Sequence, residues 1–259
     1  MSDTVLQQLD AGVLELILNR PEKKNAFSNE QWAALAAALD AARENPAVAC
    51  VLLRGAGGNF SSGVDLSAFS AGAGADNPFL ETQRAMFDFD KPLVAAAQGV
   101  AVGGGATLLL HCDLIYVAPS LRLRFPFVSL ALVPEFGSSY LLSASIGARR
   151  AAELMYTARW LSAQDALDYG IATAIVDEDE IVAQARDRAL EIARWPVRAL
   201  QETKRCLKAP QREALLAAAE RERAGMMRLA GSAENIEAIR AIVERREADF
   251  AQFRERARG

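Results

Sequence analysis

Up to Asp177, short apolar runs of strand length alternate with helix-like segments, and that alternation leaves the chain few ways to fold. Val13-Leu14-Glu15-Leu16-Ile17-Leu18 is apolar and rich in branched residues, and Asn19-Arg20-Pro21 closes it, which predicts a buried first strand. Ser28-Asn29-Glu30-Gln31 has a capping-box pattern and opens an alanine-rich helix to about Glu44, where Asn45-Pro46 stops it. Residues 48–53 predict a second buried strand, and Gly55-Ala56-Gly57-Gly58-Asn59 a turn. Strand, helix and strand at this spacing require a parallel pair joined by a right-handed crossover. The unit recurs in a strand over 93–97, a short helix over 104–111 and a strand over 114–118, then a helix over 162–169 and a strand over 171–176. No sequence repeat of fixed period accompanies it.

Beyond Asp177 the character changes. Residues 180–194, 197–206 and 212–253 have helical patterns rich in Ala, Glu and Arg, punctuated by Trp195-Pro196 and Ala209-Pro210. With no strands left to pair, the apolar stripes of this tail must pack on the α/β core or on another subunit. The expected division is therefore an α/β core over 1–195 and a helical region over 196–259. No window reaches the roughly 18 uninterrupted apolar residues of a membrane span. The start, MSDTVLQQLD, lacks the basic and apolar regions of a signal peptide, so a cytoplasmic protein without membrane contact is expected. Cys50, Cys112 and Cys206 are odd in number and widely spaced, as reduced, mostly buried thiols would be. The single histidine, His111, and the lack of any CxxC pair make a metal site unexpected. A net charge of −4 argues against a nucleic-acid surface, so an anionic ligand must be met by local basic residues or helix N-termini.

Two glycine-bearing turns carry the chemical signal. Asn59-Phe60-Ser61-Ser62-Gly63-Val64-Asp65-Leu66 and Gln98-Gly99-Val100-Ala101-Val102-Gly103-Gly104-Gly105 each follow a predicted strand. Glycine there lets the backbone bend sharply or lie close to something else. In the second turn the glycines stand where a helix begins, and the unpaired N–H groups of a helix start suit an oxygen that becomes negative. Close strand-to-helix packing alone would also explain them. Residues 68–78 (AFSAGAGADNP) are small and weakly patterned, which fits a mobile surface loop or a flexible wall of a substrate site.

Taken together, the two turns resemble the crotonase (enoyl-CoA hydratase/isomerase) superfamily. Its hallmark is an [FS]-x-x-G-x-D-[LI] turn followed some forty residues later by N-G-x-x-x-G-G-G; Gln98 here replaces the usual Asn. Asn19-Arg20-Pro21, Asn25-Ala26-Phe27, Cys112-Asp113-Leu114-Ile115-Tyr116-Val117-Ala118, Arg149-Arg150-Ala151-Ala152-Glu153-Leu154 and Ala166-Leu167-Asp168-Tyr169-Gly170-Ile171 extend the likeness over roughly residues 5–205. The resemblance implies the crotonase (ClpP/crotonase-like) fold of repeated ββα units with a C-terminal helical region. It also implies an oxyanion hole made by the N–H groups of Val64 and Gly104. The pantetheine of coenzyme A would lie against Ser61, Ser62, Gly63, Asp65 and Leu66, with Gly103 beside it. Adenosine and phosphates would lie near Lys23, Lys24 and Ala26, although those lysines also read as solvated surface charges.

The reaction depends on side chains facing the acyl group. Hydratases of this family use two glutamates, and the corresponding positions here are Thr107 and Phe127. A threonine hydroxyl is far too weakly acidic to serve as a base near neutral pH, and Phe127 is expected to line an apolar acyl pocket. Pro134-Glu135-Phe136-Gly137-Ser138-Ser139 resembles the P-E-G-x-S-S segment of Δ3,Δ2-enoyl-CoA isomerases, whose glutamate is the sole catalytic base. Burial would raise the pKa of Glu135 and a following helix N-terminus would lower it; the sequence leaves the balance open. A Ser–His nucleophile built on Ser138 or Ser139 is poorly supported, because His111 falls late in the glycine-initiated helix. Arg122 and Arg124 read as surface charges or as contacts to phosphate or a neighbouring subunit.

The resemblance thus implies an enoyl-CoA isomerase. Enoyl-CoA hydratase and a non-catalytic acyl-CoA-binding protein of the same fold are the alternatives. No cofactor is implied beyond the coenzyme A of the acyl-CoA thioester substrate. The family's trimers and dimers of trimers, with C-terminal helices at the contacts, imply a homotrimer or hexamer.

Overall fold

The apolar runs assemble into a six-stranded sheet in a computed structural model that describes residues 3–65 and 77–256. Its strands are β1 (Val5–Asp10), β2 (Val13–Leu18), β3 (Cys50–Gly55), β4 (Leu93–Ala97), β6 (Leu114–Val117) and β9 (Ala174–Ile175), in the order β1-β2-β3-β4-β6-β9. All neighbours are parallel except the β1–β2 hairpin. The strand expected first is therefore the second. VLQQLD buries only Val5, and it becomes a strand by pairing with β2 across Ala11 and Gly12. Both turn residues have positive φ (48° and 81°), the geometry of a two-residue hairpin.

Three further strands, β5 (Val100–Val102), β7 (Arg122–Arg124) and β8 (Leu161–Ser162), form a smaller sheet in the order β5-β7-β8. Parallel bridges Phe27–Val64 and Ser61–Ala101 extend the same arrangement. Each of β3, β4 and β6 thus leads directly into a segment of the second layer before a helix follows. That is the repeated ββα unit.

The helices of the core are α1 (Asn29–Glu44), α2 (Pro78–Asp88), α3 (Gly104–Leu109), α4 (Ser138–Ile146), α5 (Ala148–Thr157), α6 (Ala163–Asp168) and α7 (Ile181–Ala193). Ser28 caps α1, its Oγ accepting from the Gln31 N–H at 3.2 Å, but the Gln31 side chain donates to the Thr4 carbonyl at 2.9 Å instead of closing the expected capping box. Of the expected loop over 68–78, residues 68–76 lie outside the described residues, and Asn77 caps α2 by accepting from the Phe79 N–H. The large sheet is covered on both faces, which is why its strands read as near-continuous apolar runs. Leu16, Leu18, Val51, Leu53, Ala95 and Ala97 face the main core, whereas Cys50, Leu52, Val94 and Ala96 face α7. Burial pushes the Cys50 and Cys112 thiols up to about 12, so both are unreactive at neutral pH. Cys206, by contrast, is exposed.

The tail consists of α8 (Val197–Leu229), α9 (Ala233–Val243) and α10 (Ala251–Arg256). Trp195-Pro196 separates α7 from α8, but Ala209-Pro210 interrupts nothing, since α8 runs through it for 33 residues. Contacts on both sides of the proline hold the helix to the core. Lys208 donates to the His111 carbonyl at 3.1 Å, and Arg212 to the Phe87 carbonyl at 3.1 Å and to Asp88 at 2.7 Å. The docking stripe of α8 is not the apolar one expected. Its first half is polar, with Gln201 bonded to Asp90 and the buried Lys204 to Asp113. Beyond the proline it continues through Leu215, Ala218, Glu222 and Gly225 at heptad spacing.

Candidate active site

Backbone bonds lace the two glycine-bearing turns together. Ser61 N–H donates to the Val100 carbonyl at 2.9 Å, and Val102 N–H to the Ser61 carbonyl at 3.0 Å. On the other side Phe27 N–H donates to the Gly63 carbonyl at 2.7 Å, and Asp65 N–H to the Phe27 carbonyl at 2.9 Å. The layers are so close that a Cβ on Gly105 would stand 2.6 Å from the Ser61 carbonyl oxygen. A Cβ on Gly63, whose φ is +90°, would stand 2.6 Å from that of Val102. Close backbone approach is thus the reason for glycine at both places.

This lacing uses the amides flanking Val64 but not its own. Gly104 is the first residue of α3, where an N–H has no partner within the helix. Among the described residues, the Val64 and Gly104 amides donate to no protein acceptor. Thr107 is fully buried, and its Oγ1 is within 3.2 Å of the Gly104 carbonyl, to which it donates.

Glu135 approaches the same place from another segment. It sits between a short helical turn (Val128–Leu130) and α4, and its Oε1 lies 3.3 Å from the position of a Cβ on Gly104. Trp32, from the first turn of α1, reaches within 3.1 Å of that position and stacks on Phe27 with ring centroids 3.7 Å apart. Phe136 and Phe79 complete an aromatic wall around Trp32. Among the described residues the Glu135 carboxyl has no hydrogen-bond or ion-pair partner. It is pushed up to about 8, first by burial and then by the like charge of Glu222.

The opposing helix N-terminus does not win, for a reason outside the local sequence. Glu222 of α8 occupies it, accepting from Gly137 N–H at 2.7 Å and Ser139 N–H at 2.8 Å. Phe136 takes φ +60° where the isomerase pattern has glycine, and its carbonyl accepts from His111 Nε2 at 2.8 Å. His111 is buried, and burial holds it down at about 3, so it is neutral and packed.

The remaining expected residues are placed as follows. Ser61 is buried and bonds the Asn25 carbonyl through Oγ at 2.8 Å, while Ser62 N–H donates to the Lys24 carbonyl at 2.9 Å. Ala26 is buried beside them, and Gly103 is the N-cap of α3. Asp65 pairs with Arg20 at 3.0 Å, which ties its turn to the segment after β2. Lys23 and Lys24 are exposed, with no carboxylate partner among the described residues. Leu66 lies outside the described residues. Phe127 is 4% exposed within the main core. Arg122 and Arg124 lie over the Trp160 ring, 4.6 and 5.4 Å from its centroid.

Sequence reasoning missed two residues around the site, Trp32 and Glu222, and quoted Asn25 within a motif without giving it a role. Asn25 is buried at φ +55°, and its Nδ2 donates to the carbonyls of Ala56 and Asn59. A left-handed Asn in a tight motif is a signal the sequence does offer.

Known proteins share this framework. Residues 8–254 match the model of the enoyl-CoA hydratase/isomerase family, a match that continues past residue 205, where the motifs stop. The 1,2-epoxyphenylacetyl-CoA isomerase of Escherichia coli (strain K12) is 32% identical, over 96% of this chain and 99% of that protein. The 2,3-dehydroadipyl-CoA hydratase of the same organism is 30% identical, over 92% of this chain and 94% of its own. A crystal structure of an enoyl-CoA hydratase/isomerase from Pseudoalteromonas atlantica T6c superposes with a TM-score of 0.92 at 34% identity, covering 96% of this chain and 100% of that one.

Proposed function

The chain belongs to the enoyl-CoA hydratase/isomerase family, and within it we propose an acyl-CoA double-bond isomerase in which Glu135 is the single proton carrier. The observation behind this reading is one carboxyl that has no protein partner among the described residues, set against the start of α3, where the Gly104 amide likewise donates to none of them. The thioester oxygen accepts from the Val64 and Gly104 amides, which favour the charge that grows as an enolate forms. Glu135, as carboxylate, takes a C2 proton from a 3-enoyl thioester. The electron pair moves onto the oxygen, then returns as the proton is delivered to C4, leaving the 2-enoyl isomer and a regenerated carboxylate. Thr107 and Phe127 supply no carboxylate at the two positions where the family's hydratases carry them. The exposed Lys23 and Lys24, which have no carboxylate partner among the described residues, suit coenzyme A phosphates.

The test is product analysis on a panel of 3-enoyl-CoA and 2-enoyl-CoA thioesters. Conversion of 3-enoyl to 2-enoyl thioester supports the proposal. Faster formation of 3-hydroxyacyl-CoA from the 2-enoyl panel would replace it with a hydratase, and binding without turnover with an acyl-CoA-binding protein.

A pH dependence follows from the site. The reactive form is the carboxylate, and the carboxyl sits at about 8. Turnover should therefore climb about tenfold per pH unit up to that value and level off above it. An acidic limb centred in the ordinary carboxylate range would contradict this.

Assembly as a homotrimer or a dimer of trimers is part of the same proposal. Exposed Leu207, Leu216, Met227, Ile236 and Val243 on α8 and α9 are apolar surface of the kind a partner subunit covers. Light scattering at micromolar concentration should return three or six times the chain mass; a monomer would refute it. No helix among the described residues is long and apolar enough to cross a membrane.

A further inference from the structure

The long tail helix does more than cover the core. Three residues on one face of α8 rest on the segment that carries Glu135. The Leu215 side chain lies against Gly137, where an added Cβ would meet its Cδ1 at 2.2 Å. Glu222, 6% exposed, holds the Gly137 and Ser139 amides at 2.7 and 2.8 Å. Gly225 lies against Val133, whose Cγ2 would stand 3.0 Å from an added Cβ. Positions 215, 222 and 225 share one helical face, so residues 133–139 are gripped along their length by one rigid element.

We propose that Glu222 is a positioning residue for Glu135, clamping the 133–139 segment and keeping the α4 N-terminus from capturing the Glu135 carboxyl. The inference rests on the proposed role of Glu135. A helix N-terminus beside a carboxylate normally bonds it and lowers its proton affinity. Here both of those amides already face Glu222, so Glu135 keeps its lone pairs for substrate. Glu222 also opposes the Glu135 negative charge, which adds to the effect of burial. Burial raises the pKa of Glu222 itself, against the lowering pull of its hydrogen bonds from Ser139 and Gly137.

The other groups facing Glu135 among the described residues do not replace this influence. Trp32 of α1, which shares the Gly104 position with Glu135, is apolar, as are Phe136 and Phe79 packed around it. His111, at the end of α3, is neutral. Arg221 of α8 adjoins Glu222 and acts on it in the lowering direction.

The test reads the protonation of Glu135 separately from turnover, by infrared difference spectra of its protonated carboxyl band, assigned by the loss of that band in Glu135→Gln. In Glu222→Gln the band should titrate lower by on the order of one pH unit. The acidic limb of kcat/KM should move by the same amount, raising the rate below the limb roughly tenfold relative to the plateau. Glu222→Asp keeps the charge but shortens the reach. It should leave the titration high while lowering kcat with little change in KM. A folded Glu222→Gln whose Glu135 band titrates as in the parent protein would overturn the proposal. So would Glu222→Asp, should its titration fall while its kcat holds; this second variant decides the matter if Glu222→Gln does not fold. Full turnover by Glu135→Gln would instead refute the catalytic reading, while the infrared titration would still report on Glu222.

Discussion

Glu135→Gln should turn over 3-enoyl-CoA about 100- to 10,000-fold more slowly than the parent protein, with acyl-CoA affinity nearly unchanged. The amide matches the carboxyl in shape but cannot take the C2 proton. Because the Glu135 carboxyl has no protein partner among the described residues, the substitution orphans no donor. Stability provides an independent readout. A carboxyl raised from 4.5 to about 8 in the folded protein contributes stability that is fully present below the unfolded value and lost as pH rises through the folded one. The parent protein should therefore lose Tm relative to Glu135→Gln between those pH values, with the variant the more stable above about pH 8. Wild-type turnover by the variant would remove Glu135 from the mechanism. A Tm difference that stays flat across that range would mean that the carboxyl is not held at a raised pKa.

How far the sequence anticipated this protein depended on where each structural cause lies. β2, α1 and β4 were legible because burial on both sheet faces, a serine cap and an Asn-Pro stop are all written locally. β1 was not, since five of its six residues are exposed and only its pairing with β2 makes it a strand. Pro210 read as a breaker because the contacts that carry α8 past it come from His111 and Phe87, about a hundred residues or more away in sequence. At the candidate site, Val64, Gly104 and Glu135 were expected from motifs, all of which bear on backbone geometry or short-range pattern. Burial is the first cause of the Glu135 shift, and the second, the like charge of Glu222, comes from far downstream in α8. No local pattern marks that residue, because its effect comes only from where α8 docks.

Gly63→Ala joins fold and chemistry in one substitution and should damage both. At φ +90° an L side chain is strained whatever the space around it, at about 1–3 kcal/mol. The added Cβ would also fall 2.6 Å from the Val102 carbonyl oxygen, a backbone atom that cannot swing away as a side-chain tip can. The two turns must then part, and the first group displaced is the adjoining Val64 amide. Losing one such donor lowers kcat by roughly 100- to 1,000-fold. Gly147→Ala is the control, because Gly147 has φ +84° but nothing within 4 Å of an added Cβ. It should show the backbone strain alone, with an unchanged kcat. A Gly63→Ala variant that matches this control in Tm and retains full turnover would mean that the closeness of the turns does not hold the Val64 amide in place. A larger Tm loss accompanied by the expected fall in kcat would show that the spacing between these two backbones sets the geometry of the oxyanion site.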